Sequence, residues 1–220
     1  MTENIMQKRI IAMAASAMLA SFNACAEGDN WMVRVRAVQV DWANKSDAIS
    51  ALAVPANGIH LENKTIPEVD ISYFFTKNIA AELILTYPQK HKVSVTQSAV
   101  GAFEAGSLKE LPPTLTLQYH FTPEAQFQPY VGAGFNFTSF SNVDLAPLNA
   151  ITGGNNSIDK TSFGGALQVG FDMKVGENSY INFDVKKVFI KTDLANSTLG
   201  KLSTIKADPI LIGIGYGFRI

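Results

Sequence analysis

Residues Asp208 to Ile220 read DPILIGIGYGFRI. Ile210, Ile212, Ile214, Tyr216, Phe218 and Ile220 share one parity, and Leu211, Gly213, Gly215, Gly217 and Arg219 share the other. Side chains alternate between the two faces of a strand. One face of this segment is therefore continuously apolar, while the other is mostly glycine and charge. No later element follows to cover the apolar face, an arrangement suited to a strand whose neighbour is lipid.

The same alternation recurs toward the N-terminus. It is readable in Trp31 to Trp42, Thr65 to Phe75, Ile79 to Tyr87, Thr114 to Phe121, Phe127 to Thr138, Thr161 to Met173 and Ser179 to Thr192. With the terminal segment these make eight strands. Three connections are short (Thr76 to Asn78, Thr122 to Gln126, Lys174 to Asn178). Four are long (Asp41 to Lys64, Pro88 to Pro113, Ser139 to Lys160, Asp193 to Lys206). Short and long connections alternate, as in bacterial membrane barrels with tight periplasmic turns and longer outer loops. The expected fold is all-β: an eight-stranded antiparallel transmembrane β-barrel with both chain ends in the periplasm and four long extracellular loops. The one helical expectation beyond the N-terminal segment is a short helix within Gln97 to Glu110.

The rest of the composition agrees. The chain has 220 residues, 47% hydrophobic and 17% charged, with a net charge of −1. That balance offers no basic footprint for nucleic acid. Past the first thirty residues no apolar run is long enough for a membrane helix. Lys8 and Arg9, the apolar run Ile10 to Phe22 and the small-x-small Ala24-Cys25-Ala26 pattern read as a signal peptide over 1–26, leaving 27–220 as a single barrel domain. Cys25 also permits lipoprotein processing, although Phe22 and Asn23 fit that signal poorly. On the favoured reading the single cysteine leaves with the signal, so disulfides, thiolate metal sites and cysteine nucleophiles are excluded.

Alternation alone does not say which way the apolar face points, because a soluble lipocalin-like barrel buries its apolar row. Glycines fill the polar row (Gly132, Gly134, Gly164, Gly213, Gly215, Gly217), where a narrow interior needs room for Arg34 and Arg36. Aromatics gather near strand ends: Tyr73, Phe75, Tyr119, Phe121, Tyr216 and Phe218 on the periplasmic side, and Trp42, Tyr87, Phe137, Phe163 and Phe189 on the other. Two such girdles are expected at two membrane interfaces. The apolar rows also reach the roughly 9–11 residues that a tilted strand needs to cross.

The inward row carries Arg34, Arg36, Asp70, Glu82, Asp172, Asp184, Lys186 and Arg219. Eight strands leave an interior barely wide enough for side chains, so a structural salt-bridge network is favoured over a wide wet pore. Ile84 and Phe74 are apolar on the inward parity and are candidates for a constriction. Leu52, Val54, Ile59, Phe103, Leu108 and Leu111 are apolar groups in nominal loops and suggest a hydrophobic cup above the lumen. His60, His91 and His120 share no metal-ligand spacing, and His91 with Ser94 is a weak hydrolase signal without a placed acid. No cofactor is expected. The glycine pairs at Gly132 and Gly134 and at Gly213 and Gly215 lead into no helix, so they are not nucleotide loops.

Several motifs together resemble the OmpW family of small outer-membrane proteins. They are Leu111-Pro112-Pro113-Thr114-Leu115, Pro129-Tyr130-Val131-Gly132-Ala133-Gly134, Asp159-Lys160-Thr161-Ser162-Phe163-Gly164, Asp184-Val185-Lys186-Lys187, Asp208-Pro209 with the terminal strand, and Asn78-Ile79-Ala80-Ala81-Glu82-Leu83 with Pro88 to His91. The similarity runs from about Trp31 to Ile220. It implies a Gram-negative outer-membrane barrel with a narrow hydrophobic channel, passing small hydrophobic molecules and releasing them sideways into the bilayer. Implied partners are outer-membrane lipid and lipopolysaccharide, small hydrophobic solutes, and the barrel assembly machinery through the C-terminal strand. On this resemblance Ile84 falls at an apolar gate position. Lys186 stands where some members carry the facing aromatic, and the chain ends in Ile220 where such barrels often end in Phe. The alternative is a plugged structural or receptor barrel whose loops bind a host surface, phage or toxin.

Overall fold

The computed structural model describes residues 30–220. The signal segment and Cys25 lie outside them. In chain order the strands are β1 (Trp31–Asp41), β2 (Lys45–Ser46), β3 (Ile59–Leu61), β4 (Lys64–Phe74), β5 (Ile79–Leu85), β6 (Gln89–Val95), β7 (Phe103–Leu111) and β8 (Thr114–His120). Then come β9 (Phe127–Asp144), helix α1 (Ala146–Thr152), β10 (Asn156–Ile158), β11 (Thr161–Lys174), β12 (Ser179–Val188), β13 (Lys191–Asn196), β14 (Gly200–Lys206) and β15 (Ile210–Arg219).

Eight of these strands close on themselves in the order β11-β12-β15-β1-β4-β5-β8-β9, with β9 pairing back onto β11. Every pairing is antiparallel, and the terminal strand lies between β12 and β1. Side-chain chemistry holds the short turns. Thr76 Oγ1 accepts from the backbone N–H groups of Asn78 and Ile79, and Thr122 Oγ1 donates to the Phe127 carbonyl.

The parity reading resolves in favour of lipid. Leu117 is 58% exposed and Ile214 61%, whereas Arg34 on the opposite parity is 0% exposed. A water-soluble barrel would reverse that order. Register explains the glycines. Gly215 faces Arg36 and Gly217 faces Arg34 across the β15–β1 pair. A Cβ on Gly215 would sit 2.7 Å from Arg36 Cγ and 2.2 Å from the Val35 carbonyl oxygen. Glycine here makes the space that the arginines occupy.

The four long connections are not loops in the ordinary sense. β6 and β7 form a hairpin arm whose second strand pairs onto the upper half of β9, and β3 adds to its other edge. A second, four-stranded sheet runs β10-β13-β14-β2. The expected helix in Gln97 to Glu110 does not form. Phe103–Leu111 is strand, with a bulge opposite Val93/Ser94, and the helix lies at Ala146–Thr152 with proline in its first turn. Pairing to β6 and β9 satisfied the backbone of that segment better than a short isolated helix could.

Candidate functional site

The lumen is filled by ion pairs. Arg34 grips Asp172 with two parallel bonds, Nε to Oδ1 at 3.0 Å and Nη2 to Oδ2 at 2.6 Å. Its Nη1 donates to Glu82 Oε2 and Ser72 Oγ, both at 2.7 Å. Arg36 Nη1 lies 2.8 Å from Asp70 Oδ2 and 3.3 Å from Glu68 Oε1, while Nε donates to Asn182 at 2.7 Å. Lys186 Nζ reaches Glu68 Oε1 at 2.5 Å and Asp184 Oδ1 at 3.0 Å. Gln168 and Tyr130 complete the shell, donating to Glu82 and Asp184 at 2.8 Å. The side chains of Arg34, Arg36, Glu82 and Asp184 are 0% exposed. Charges held this far from water require this density of partners.

Arg34, Arg36, Glu82, Asp184 and Lys186 thus meet in one plug. Glu68 belongs to the same plug. It stands two residues before Asp70 on the same parity, which is the signal that places it there. Ile84 and Phe74 do not form one constriction. Ile84 is buried above the plug, beside Lys186 and Glu68. Phe74 lies at the opposite end with Met32, Ala80 and Tyr180, its ring under the Arg219 guanidinium at 4.1 Å and beside His120 at 5.0 Å.

Above the plug the interior turns apolar. A small chamber of about 30 Å³ is bounded by Val40, Trp42, Ile84, Leu85, Pro112 and Leu211, with Glu110 and Lys186 among its polar walls. Beyond it, inside the outer extensions, lies a cavity of about 50 Å³ walled by Leu52, Ile59, Val95, Leu108, Leu145 and Leu194. Each has room for only a few water-sized groups. Val54 and Phe103 pack into the same cluster, so they join the cup with Leu52, Ile59 and Leu108. Leu111 does not. A bulge in the β7–β9 pairing and the alternation of β7 put Glu110 inside, and Leu111 falls on the other face. Trp42 also departs from expectation. At 7% exposed it is part of the cup and not of the outer aromatic girdle, and its indole N–H donates to the Glu62 carbonyl.

The barrel wall is incomplete beside the chamber. β4 pairs with β5 only as far as Val69 and Leu85, so its segment Lys64 to Glu68 has β1 as its sole partner strand. The β6–β7 arm, which rises at that level, pairs with β3 and β9 and not with β4. Two side chains bridge the seam: Thr86 Oγ1 donates to the Pro67 carbonyl at 2.8 Å, and Lys64 Nζ to the Lys90 carbonyl at 3.2 Å. Pro67 on β4 and Pro88 in the β5–β6 link, which have no N–H to donate, flank the gap.

Among the described residues no cluster of His, Cys, Asp or Glu is arranged for a metal ion. His91 is buried and faces the interior, whereas Ser94 is exposed on the opposite face. His120 is buried between Phe74 and Tyr130.

A closed antiparallel barrel with a lipid-facing apolar wall and an ion-paired lumen is a transmembrane β-barrel of a Gram-negative outer membrane. The OmpW family model matches residues 26–220, and the chain belongs to the OmpW family. A relative from Sinorhizobium fredii, named uncharacterized outer-membrane protein y4mB, is 45% identical over 86% of this chain and 79% of its own length. Outer membrane protein W of Vibrio cholerae is 32% identical over 97% of this chain and all of its own. The crystal structure of the outer membrane protein OprG from Pseudomonas aeruginosa superposes with a TM-score of 0.74 at 28% identity, covering 87% of this chain and 95% of that one.

Proposed function

We propose that the barrel is a passive conduit for small hydrophobic molecules. They are captured by the apolar cup, stopped at the ion-pair plug and released through the wall into the bilayer. The observation that carries this reading is the order of compartments along one axis: apolar cavity, small mixed chamber beside a seam closed only by side chains, then a floor of fully buried charge. A hydrocarbon crossing that floor would have to displace ion pairs from their partners. The sideways path costs only the side-chain bonds across the seam. The role implied by the family resemblance supports the same reading. Ile84, Lys186 and Glu68 form the chamber floor where the solute turns, and Phe74 caps the plug from below.

The test is uptake of an apolar fluorophore by cells with and without the protein, and with Ile84→Asp or Leu108→Asp. Loss of uptake in the variants, with the barrel still folded by heat-modifiable gel mobility, supports the route. Unchanged uptake refutes it. The plug also favours a second reading, a closed barrel whose outer sheets serve as a receptor or adhesion surface. That reading requires no protein-dependent uptake at all.

For the remaining partners we infer contacts with lipopolysaccharide and with the assembly machinery. Lys191 and Lys206 of the outer sheet stand near the exposed rings of Phe163 and Phe189, and Lys45 lies opposite Lys206, so these cations are offered to lipopolysaccharide phosphates. The C-terminal strand, with its apolar outer face, is the segment offered to the assembly machinery.

A further inference from the structure

One polar side chain, Glu110, stands in the passage between cup and chamber, and Gln89 and His91 lie beside it on β6. Glu110 borders both cavities. Gln89 is opposite it in the β6–β7 register, and His91 follows on the inward row that continues as Val93 and Val95 in the cup wall. Gln89, His91 and Glu110 are 1%, 3% and 4% exposed. An apolar route gains nothing from three buried polar side chains at its neck. Their hydrogen bonding is also incomplete. Gln89 uses its amide N–H on the Tyr87 carbonyl at 3.0 Å, and no group donates to its Oε1. The Glu110 carboxylate has His91 Nε2 as its ion-pair partner at 3.4 Å, and that nitrogen makes no hydrogen bond of good geometry. Trp42, edge-on to the imidazole at 5.1 Å, gives its own N–H elsewhere. The neck therefore holds a carboxylate whose one close partner is the His91 imidazole, and the Gln89 amide oxygen beside it is an acceptor with no donor. Buried acceptors of this kind are costly until a donor arrives.

We propose that Gln89, His91 and Glu110 form a donor-seeking collar that selects, among small apolar solutes, those bearing an O–H or N–H group: alcohols, phenols and amides. The inference rests on the conduit reading and names its substrate class. The hydrocarbon body lies in the cup while its hydroxyl donates to Glu110 or to Gln89 Oε1. A ketone or ether of equal size has nothing to donate, an alkane leaves both acceptors unpaired, and a carboxylate is repelled by Glu110. A site built to receive a donor rejects the analogue that lacks one.

Trp42 reports on the collar directly. In a Trp31→Phe background it is the only tryptophan of the chain. Titrating that detergent-solubilised barrel with 1-octanol, 2-octanone and octane, read by Trp42 emission, should give octanol about tenfold tighter binding than octanone, as one hydrogen bond to a charged acceptor supplies. In Gln89→Leu, and in the double variant His91→Leu/Glu110→Leu, which removes both members of the ion pair together, the ratio should fall to about twofold or less. Heat-modifiable mobility verifies folding of each variant. Equal binding of octanol and octanone to the parent barrel overturns the collar while leaving the conduit intact, as does an unchanged ratio in the folded variants. Failure of all three solutes to bind overturns the conduit reading and the collar with it.

Discussion

Gly215 shows how one missing atom organises the plug. Its backbone passes so close to Val35 and Arg36 that Gly215→Ala must push the strand pair apart or displace the arginine from Asp70. Overpacking of this kind costs about 1–3 kcal/mol. The urea midpoint of refolded barrel should fall accordingly. Gly165→Ala, whose Cβ would meet its nearest neighbour at a comfortable 3.6 Å, should leave the midpoint in place. Arg34→Met tests the plug itself. It strands Asp172 in a dry lumen and takes the nearest cation from Glu82, and breaking such a buried pair costs about 3–5 kcal/mol. Adding Asp172→Asn in the same chain, which returns the plug to its original net charge, should recover much of the loss. Most plug residues were legible as sequence because Arg34, Arg36, Glu82 and Asp184 stand on the parity opposite the apolar rows. Trp42 was not. Its parity follows Val38 and Val40, which are interior, but an aromatic at a strand end looks the same whether it meets lipid or folds over a cup.

The elements divide in the same way. Each barrel strand carries two faces in two solvents, and that contrast is written into every second residue, so all eight barrel strands were readable. The outer extensions β6, β7, β10, β13 and β14 have water on one face and one another on the other. Their patterns are short, and β7 is broken by a bulge at Gly106, so Phe103–Leu111 passed for loop or helix. These elements also carry local tensions that the barrel lacks. Lys191, Lys206 and Lys45 stand directly opposite one another across β13, β14 and β2, all exposed. Like charges in cross-strand register destabilise a sheet. Lys206→Gln should therefore slow proteolysis of the outer sheet at about 10 mM salt, and the gain should vanish near about 0.5 M, where screening shortens the interaction. Asp193 in the same sheet is held below the usual aspartate range by hydrogen bonds from Lys201 and Thr204. A depressed folded pKa contributes stability that is complete above the ordinary value of about 3.9 and is lost as pH falls through the folded one. Because the group is exposed the effect is local. Amide exchange of β13 and β14 should accelerate only below that range, and Lys201→Gln should shrink that acceleration, because the folded pKa then lies nearer the unfolded one.

At the scale of the whole molecule, the plug and the seam make opposite demands on a solute. Water and ions that enter from outside meet a floor of buried, mutually ion-paired side chains that fills the lumen, so ion current through a planar bilayer should stay far below that of a wide porin. An apolar solute meets a wall closed at chamber height by side chains instead of a ladder. Thr86 supplies one of these closures through its bond to the Pro67 carbonyl. A neutral hydrogen bond is worth about 0.5–1.5 kcal/mol net. Thr86→Val keeps the β-branched shape and removes the donor. Where opening of the seam limits release, that variant should raise the uptake rate of an apolar probe by about two- to tenfold. Ion current should not change, because the plug is untouched. The converse result, more ion current with the same apolar uptake, would mean that Thr86 braces the lumen and that solutes do not leave between β4 and the β6–β7 arm. The seam was only half visible in the sequence. Pro88 and Pro112-Pro113 cannot donate ladder hydrogen bonds, but the transfer of β7 onto β9, which leaves the upper part of β4 without a second partner, depends on contacts between segments far apart in the chain.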